Sequence, residues 1–155
     1  MRLMLRALYG ALGGFVGTLA LTGFRKALAA TGLIGVSAPE QVVAKLEELG
    51  LLDGWSPEAR RVLTGAAHLS YGVGIGTALS LLRREKGGAV EEAGVGAALG
   101  LLAWAANWSS VLPLVGVHRP PWKERTPEVL LPVLDHLVYG AIWGLVHRAI
   151  RRGQV

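Results

Sequence analysis

Residues 93–117 read AGVGAALGLLAWAANWSSVLPLVGV, a run with no charged side chain. A bilayer hydrocarbon core is about 30 Å thick and is crossed by about 20 apolar helical residues. The run exceeds that length and shows no polar stripe of the kind an amphipathic helix turns toward water. Three more stretches repeat the pattern: 7–24 and 62–82 are uncharged, and 129–146 carries one acid, Asp135. With their flanks, the four predict helices over 7–28, 60–82, 93–117 and 128–148. The expected fold is all-α: one integral membrane domain over residues 1–155, built as a four-helix transmembrane bundle.

Composition points the same way. Of 155 residues, 52% are hydrophobic, 17% are charged and 22 are glycine. Ordinary soluble domains carry about 25% charged residues. Mean hydropathy is +0.43. These values argue against a disordered chain, a nucleic-acid-binding tail and a typical soluble enzyme. The chain has no cysteine, which excludes disulfides, thiolate zinc sites, iron–sulfur clusters and cysteine nucleophiles.

Local chemistry marks the helix starts. Ser56-Pro57-Glu58 sets a capping serine before proline at the first helical position, then an acid at the positive helix end, and Thr126-Pro127-Glu128 repeats this. Ser37 and Glu40 form a capping box that opens a short helix over 38–49 in the first loop, with Gly50 as its stop. Val42, Val43, Leu46 and Leu49 make it amphipathic, so it lies on the membrane surface or packs over the bundle mouth. Ala27-Leu28-Ala29 resembles a signal cleavage site, but Arg25 and Lys26 directly precede it, so the first stretch reads as a span.

Four spans place both termini and the second loop on one side. That side holds eight bases, Arg2, Arg6, Arg83, Arg84, Lys86, Arg148, Arg151 and Arg152, and the opposite side also holds eight. The first group clusters against helix ends in short segments, where the positive-inside rule counts most. Both termini are therefore expected in the cytoplasm of a bacterium, with the spans in its inner membrane.

The segment HLSYGVGIG at 68–76 and the segment HLVYGAIWG at 136–144 both read HLxYGxxxG. Their helices run in the same direction, so a duplicated helix pair would give parallel halves. Small-xxx-small spacing recurs at Gly10/Gly14, Gly72/Gly76, Gly96/Gly100 and Gly140/Gly144. Such spacing lets helix backbones approach closely in lipid. It serves internal packing or assembly with a second copy or another membrane subunit.

Polar groups inside a span are costly, so their positions carry the functional clue. His68 lies about 10 Å inside Arg61, and Asp135 and His136 lie about 10 Å inside Glu128, at about 1.5 Å per residue. Asn107 lies about 15 Å from the end of the third helix at the same rise, and Tyr71 and Tyr139 follow the two histidines one turn on. All fall in the half facing the first and third loops. Pro113 and Pro132 each remove a backbone donor nearby, freeing carbonyls and distorting their helices. These residues predict a polar pocket opening outward. His68 and His136 have three readings: interhelical hydrogen bonds with Asp135 as partner, ligation of haem b or a metal ion with the glycines admitting a porphyrin, or a proton or ion pathway through Asp135 and His136. No nucleophile or oxyanion donor completes a hydrolase, so the role read here is non-catalytic.

The segment PLVGVHRPPW at 113–122, leading into Glu128 and then Asp135-His136-Leu137-Val138-Tyr139, resembles YagU-like bacterial inner-membrane proteins, and His68 matches a histidine in their second span. The resemblance implies a small polytopic inner-membrane protein from a family of poorly defined function, with an association to acid tolerance.

Overall fold

The computed structural model describes residues 2–29, 36–82 and 87–153. Arg83, Arg84 and Lys86, which enter the orientation count, lie outside the described residues, as does the side chain of Arg2. Among the described residues every regular element is helical. In chain order they are α1 (Arg2–Ala29), α2 (Ala38–Glu48), α3 (Pro57–Leu82), α4 (Ala89–Leu114) and α5 (Thr126–Arg152). Within α4 the backbone is α-helical over Ala89–Ala106, widens to a π-helical turn over Asn107–Val111, and closes with an α turn, Leu112–Leu114. A 3₁₀ turn at Pro121–Lys123 leads into α5.

Among the described residues, three helices, α1, α4 and α5, are long and apolar enough to cross a membrane. Four were expected. α3 has the length, but His68, Ser70, Tyr71, Thr77, Ser80 and its glycines dilute its hydropathy. Several of these residues serve packing rather than solvation by lipid. Gly72, Gly76 and Ser80 are buried.

The bundle is two antiparallel pairs, α1 with α3 and α4 with α5, joined where α1 meets α5. Glycine sets both pair contacts. Gly10 and Gly14 of α1 lie on Gly76 and Gly72 of α3, and a Cβ on any of the four would strike backbone or side chain of the facing helix. In the second pair Gly96 faces Gly140 and Gly144, while Gly100 lies on the His136 carbonyl and Gly140. Contacts this close let Cα–H groups meet carbonyl oxygens and let dispersion act over the whole crossing, which matters where lipid removes the hydrophobic drive. Between the pairs, Gly13 and Gly17 of α1 make room for the rings of Trp143 and Tyr139.

Many large apolar side chains face outward, while polar groups share the interior with an apolar core. Leu3, Met4, Leu8, Leu12 and Leu19 of α1, Val62 and Leu82 of α3, and Leu102 and Leu114 of α4 are exposed. Thr18, Ser80, Glu92, Asp135 and His147 are buried. Water-soluble domains seldom bury acids or expose so many large apolar side chains.

The short elements follow their caps. Ser37 Oγ accepts from the Glu40 N–H, and Glu40 Oε2 accepts from the Ser37 N–H at 2.6 Å. α2 ends in a Schellman arrangement: Gly50 takes φ 71° while its N–H reaches Glu47 O and the Leu51 N–H reaches Leu46 O. Ser56 Oγ accepts from the Ala59 N–H at 3.2 Å to start α3. At α5 the helix already includes Thr126. The cap falls one residue earlier, where Glu128 Oε2 accepts from the Arg125 N–H at 3.3 Å. An ion pair of Arg60 with Glu47, and Arg60 Nη2 donating to Leu52 O at 3.3 Å, fasten α2 to α3.

Glu40 gives a prediction. Partial burial pushes its carboxyl up, but the Ser37 hydroxyl and N–H, helped by the Arg25 charge, hold it below its ordinary 4.5. A carboxyl lowered by folding stabilises the folded state above its unfolded value. That contribution is lost as pH falls below 4.5 and through the lowered value. Amide-exchange protection of the first α2 turn should therefore fall at low pH in the wild type, while Glu40→Gln shows no such dependence. The same loss in Glu40→Gln would place the titrating group elsewhere.

Candidate functional site

At the end of the bundle nearest α2 lies a cavity of about 920 Å³. Its walls come from α1 (Thr18, Leu21, Arg25), α3 (Ala67, His68, Tyr71, Gly72), the π turn of α4 (Asn107, Trp108) and α5 (Leu131, Asp135, His136, Tyr139). The start of α2 and the segment around His118 and Arg125 complete its rim. The six residues singled out from the sequence, His68, Tyr71, Asn107, Asp135, His136 and Tyr139, all line this one space.

The π turn explains how Asn107 gets there. Pro113 has no N–H, so the carbonyl four residues back loses its helical donor. α4 widens just before this proline, and Ser110 Oγ donates to Ala105 O at 2.8 Å. The wider turn lies on the cavity wall, where Asn107 and Tyr71 both line the space, and Trp108 is buried. Trp108 stacks on His118 with centroids 4.4 Å apart. Pro132, by contrast, sits inside an uninterrupted α5.

The hydrogen-bond assignments differ from the interhelical scheme expected for the histidines. His136 Nδ1 donates to Pro132 O, one turn back on its own helix, at 2.7 Å. Asp135 pairs with Arg25 of α1 rather than with an imidazole. Arg25, which lines the cavity and pairs with Asp135, is the residue that the sequence reading left out of the site, having been assigned to the end of the first span. A signal was present: Gly14, Thr18, Leu21 and Arg25 share one face at helical spacing, and an acid inside a span calls for a base at like depth.

Below the cavity two aromatic side chains of α5 reach across to α3. Tyr139 Oη donates to Gly72 O at 2.5 Å, and one turn further Trp143 Nε1 donates to Gly76 O at 3.1 Å. Trp143 is 1% exposed and stacks on His147. Another turn on, Ser80 Oγ donates to Arg6 O at 2.7 Å and lies 2.8 Å from His147 Nε2. Arg6 Nη2 in turn donates to Ser80 O at 2.7 Å. A second polar cluster thus closes the terminal end of the bundle, separated from the cavity by the Tyr139 and Trp143 rings.

The ligation readings meet two obstacles. The space at Gly76, Gly140 and Gly144 is filled by facing backbone and that at Gly72 by the Thr18 side chain, so these glycines leave no slot for a porphyrin. Among the described residues no group of three or more His, Cys, Asp or Glu side chains is placed to hold a metal ion, and the Asp135 carboxylate is engaged by Arg25. Comparison of the chain with protein families, with curated proteins and with solved structures finds no match.

Proposed function

We infer that this chain is a non-catalytic, four-span protein of the bacterial inner membrane that holds a ligand in its loop-side cavity. The observation that carries the reading is the blind end of that cavity. Its wall reaches Thr18, Gly72 and Tyr139 and stops there. Trp143 fills the next turn, and its indole N–H is tied to Gly76 O. An indole N–H does not relay protons, so a closed binding pocket fits the geometry better than a pathway from Asp135 toward His147.

Membrane insertion rests on the three apolar helices and on the outward-facing leucines. α3 runs antiparallel to α1 inside the same bundle, which supports reading it as a fourth span. The pairing of glycines within α1–α3 and again within α4–α5 supports a duplicated helix pair. The likeness to YagU-like proteins supports the same class. Gly65, Gly74 and Gly94 face open space, leaving outer faces for lipid, a second copy or another membrane subunit.

The natural absence of cysteine makes the test direct. Single substitutions Ala67→Cys, in the cavity wall, and Ser80→Cys, beyond the Trp143 plug, are exposed to an impermeant thiol reagent in sealed vesicles. Ala67→Cys should react from the outer face only and Ser80→Cys from neither. Reaction of Ala67→Cys from the cytoplasmic face would reverse the orientation. Failure to react from either face would remove the open cavity.

A further inference from the structure

Helix packing leaves one side of the cavity open. Among the described residues α1 packs along α3 and along α5, and α4 packs along α5, but α3 and α4 do not pack along one another. Both still contribute to the cavity wall, α3 through His68 and Tyr71 and α4 through Asn107 and Trp108. The wall then runs outward on each helix. Tyr71 is 37% exposed, and on the next turn of α3 Gly74 faces open space. Asn107 is partly exposed, and on the next turn of α4 Val111 is 49% exposed. The loop-side rim, where Arg125 and Glu128 are exposed, meets water. The gap between α3 and α4 meets the acyl chains of the bilayer.

The groups behind that gap are polar at a depth where lipid is not. Tyr71 stands about 15 Å along α3 from Arg61, the nearest charge on that helix. That is near the middle of a hydrocarbon core about 30 Å thick. Among the described residues the His68 ring makes no hydrogen bond, whereas His118 and His136 each donate to a carbonyl. A phospholipid keeps its polar head at the bilayer surface and would set only hydrocarbon against Tyr71, Asn107 and His68. Polar groups at this depth are costly without partners, so an occupant with polar atoms of its own is favoured. Tyr71, Trp108, His136 and Tyr139 bring further rings to the wall beside His68, and ring faces and edges pack best on a flat partner. Arg25 and Asp135 already neutralise one another in this wall, and a neutral occupant leaves that balance intact.

Resting on the cavity reading above, we propose that the ligand comes from the bilayer through the gap between α3 and α4. It is a neutral, lipid-soluble molecule with a planar ring that carries carbonyl or hydroxyl oxygens, as in a quinone or quinol. A ring carbonyl accepts from the Tyr71 O–H and the Asn107 amide, a ring hydroxyl donates to a His68 ring nitrogen, and the hydrocarbon tail leaves through the gap into the leaflet.

Three probes separate the terms: decylubiquinone, with ring, oxygens and tail; 1-phenyldecane, with ring and tail; and 2-dodecanone, with a carbonyl and a tail but no ring. Each is titrated onto the full chain in phosphatidylcholine nanodiscs, with binding read by native mass spectrometry and by the shift in unfolding temperature. One good hydrogen bond corresponds to about tenfold in affinity. Decylubiquinone should therefore bind about tenfold or more tighter than either other probe. Tyr71→Phe and Asn107→Leu should each lower its affinity about tenfold while leaving phenyldecane binding in place. A benzoquinone whose tail ends in a diazirine should crosslink on illumination to residues flanking the gap, Gly74 and Val111 among them. Phenyldecane or dodecanone binding as tightly as decylubiquinone overturns the ring-oxygen proposal and leaves the cavity reading standing. Unchanged affinity in both variants overturns the placement of the ring at the gap. Crosslinks on Gln41, Arg125 or Glu128 instead put the tail at the loop-side rim and overturn entry from the bilayer. Binding by none of the three overturns the proposal as a whole, and the Ala67→Cys labelling then decides separately whether the cavity is open.

Discussion

Gly140→Val is expected to cost about 3 kcal/mol or more and to leave little folded protein in mild detergent. A Cβ at this position falls on the carbonyl of Gly96 and within van der Waals distance of Gly100. Those atoms are helix backbone, so they cannot rotate away. α4 and α5 must separate along their whole crossing. Overpacking in a tight interior costs about 1–3 kcal/mol and more where nothing yields. Gly96→Val should behave alike. The control comes from Gly74 and Gly94, which face open space. Gly74→Ala and Gly94→Ala should be neutral or stabilise by up to about 1 kcal/mol, because alanine loses less backbone entropy than glycine in a helix. Unfolding by denaturing detergent, followed by circular dichroism, measures all four. Equal tolerance at Gly140 and Gly74 would mean that the α4–α5 contact does not hold the fold.

These two glycine classes show how far a sequence of this kind can be read. Small-xxx-small spacing occurs on every long helix, so it announces close packing without saying which pairs form. Gly72/Gly76 and Gly140/Gly144 sit in the same motif, yet one pair meets α1 and the other meets α4. The choice depends on which faces meet once all the helices are assembled. Helix starts were more legible, because a cap is local: Ser37 with Glu40 and Ser56 both act where their spacing put them. The cap of α5 moved to Arg125 because Glu128 can reach back to its N–H wherever the chain enters the helix.

The site divides in the same way. Proline at 113 signalled a disturbed α4, since the missing donor is a property of one residue. That the disturbance is a π turn, and that Asn107 lines the same space as Tyr71, depends on how the helices assemble and could not be read locally. Asp135 announced a polar site by its position alone. Its partner was hidden because Arg25 lies near the end of an apolar stretch, where a basic residue reads as an interfacial anchor.

Removing either member of that pair should cost about 3 kcal/mol or more. Asp135 is buried within α5, with its side chain 8% exposed, and Arg25 is 20% exposed. Breaking a buried pair leaves one charge without its counterion, at a typical cost of about 3–5 kcal/mol. Replacing both partners by apolar side chains removes the desolvation penalty along with the attraction. Asp135→Leu and Arg25→Met are each expected to destabilise strongly. The double variant should return to within about 1 kcal/mol of wild type, or exceed it, giving a large coupling energy in the cycle. If neither single variant is destabilised, Arg25 and Asp135 are solvated separately and the joint between α1 and α5 rests on Gly13, Gly17 and the aromatic rings they admit.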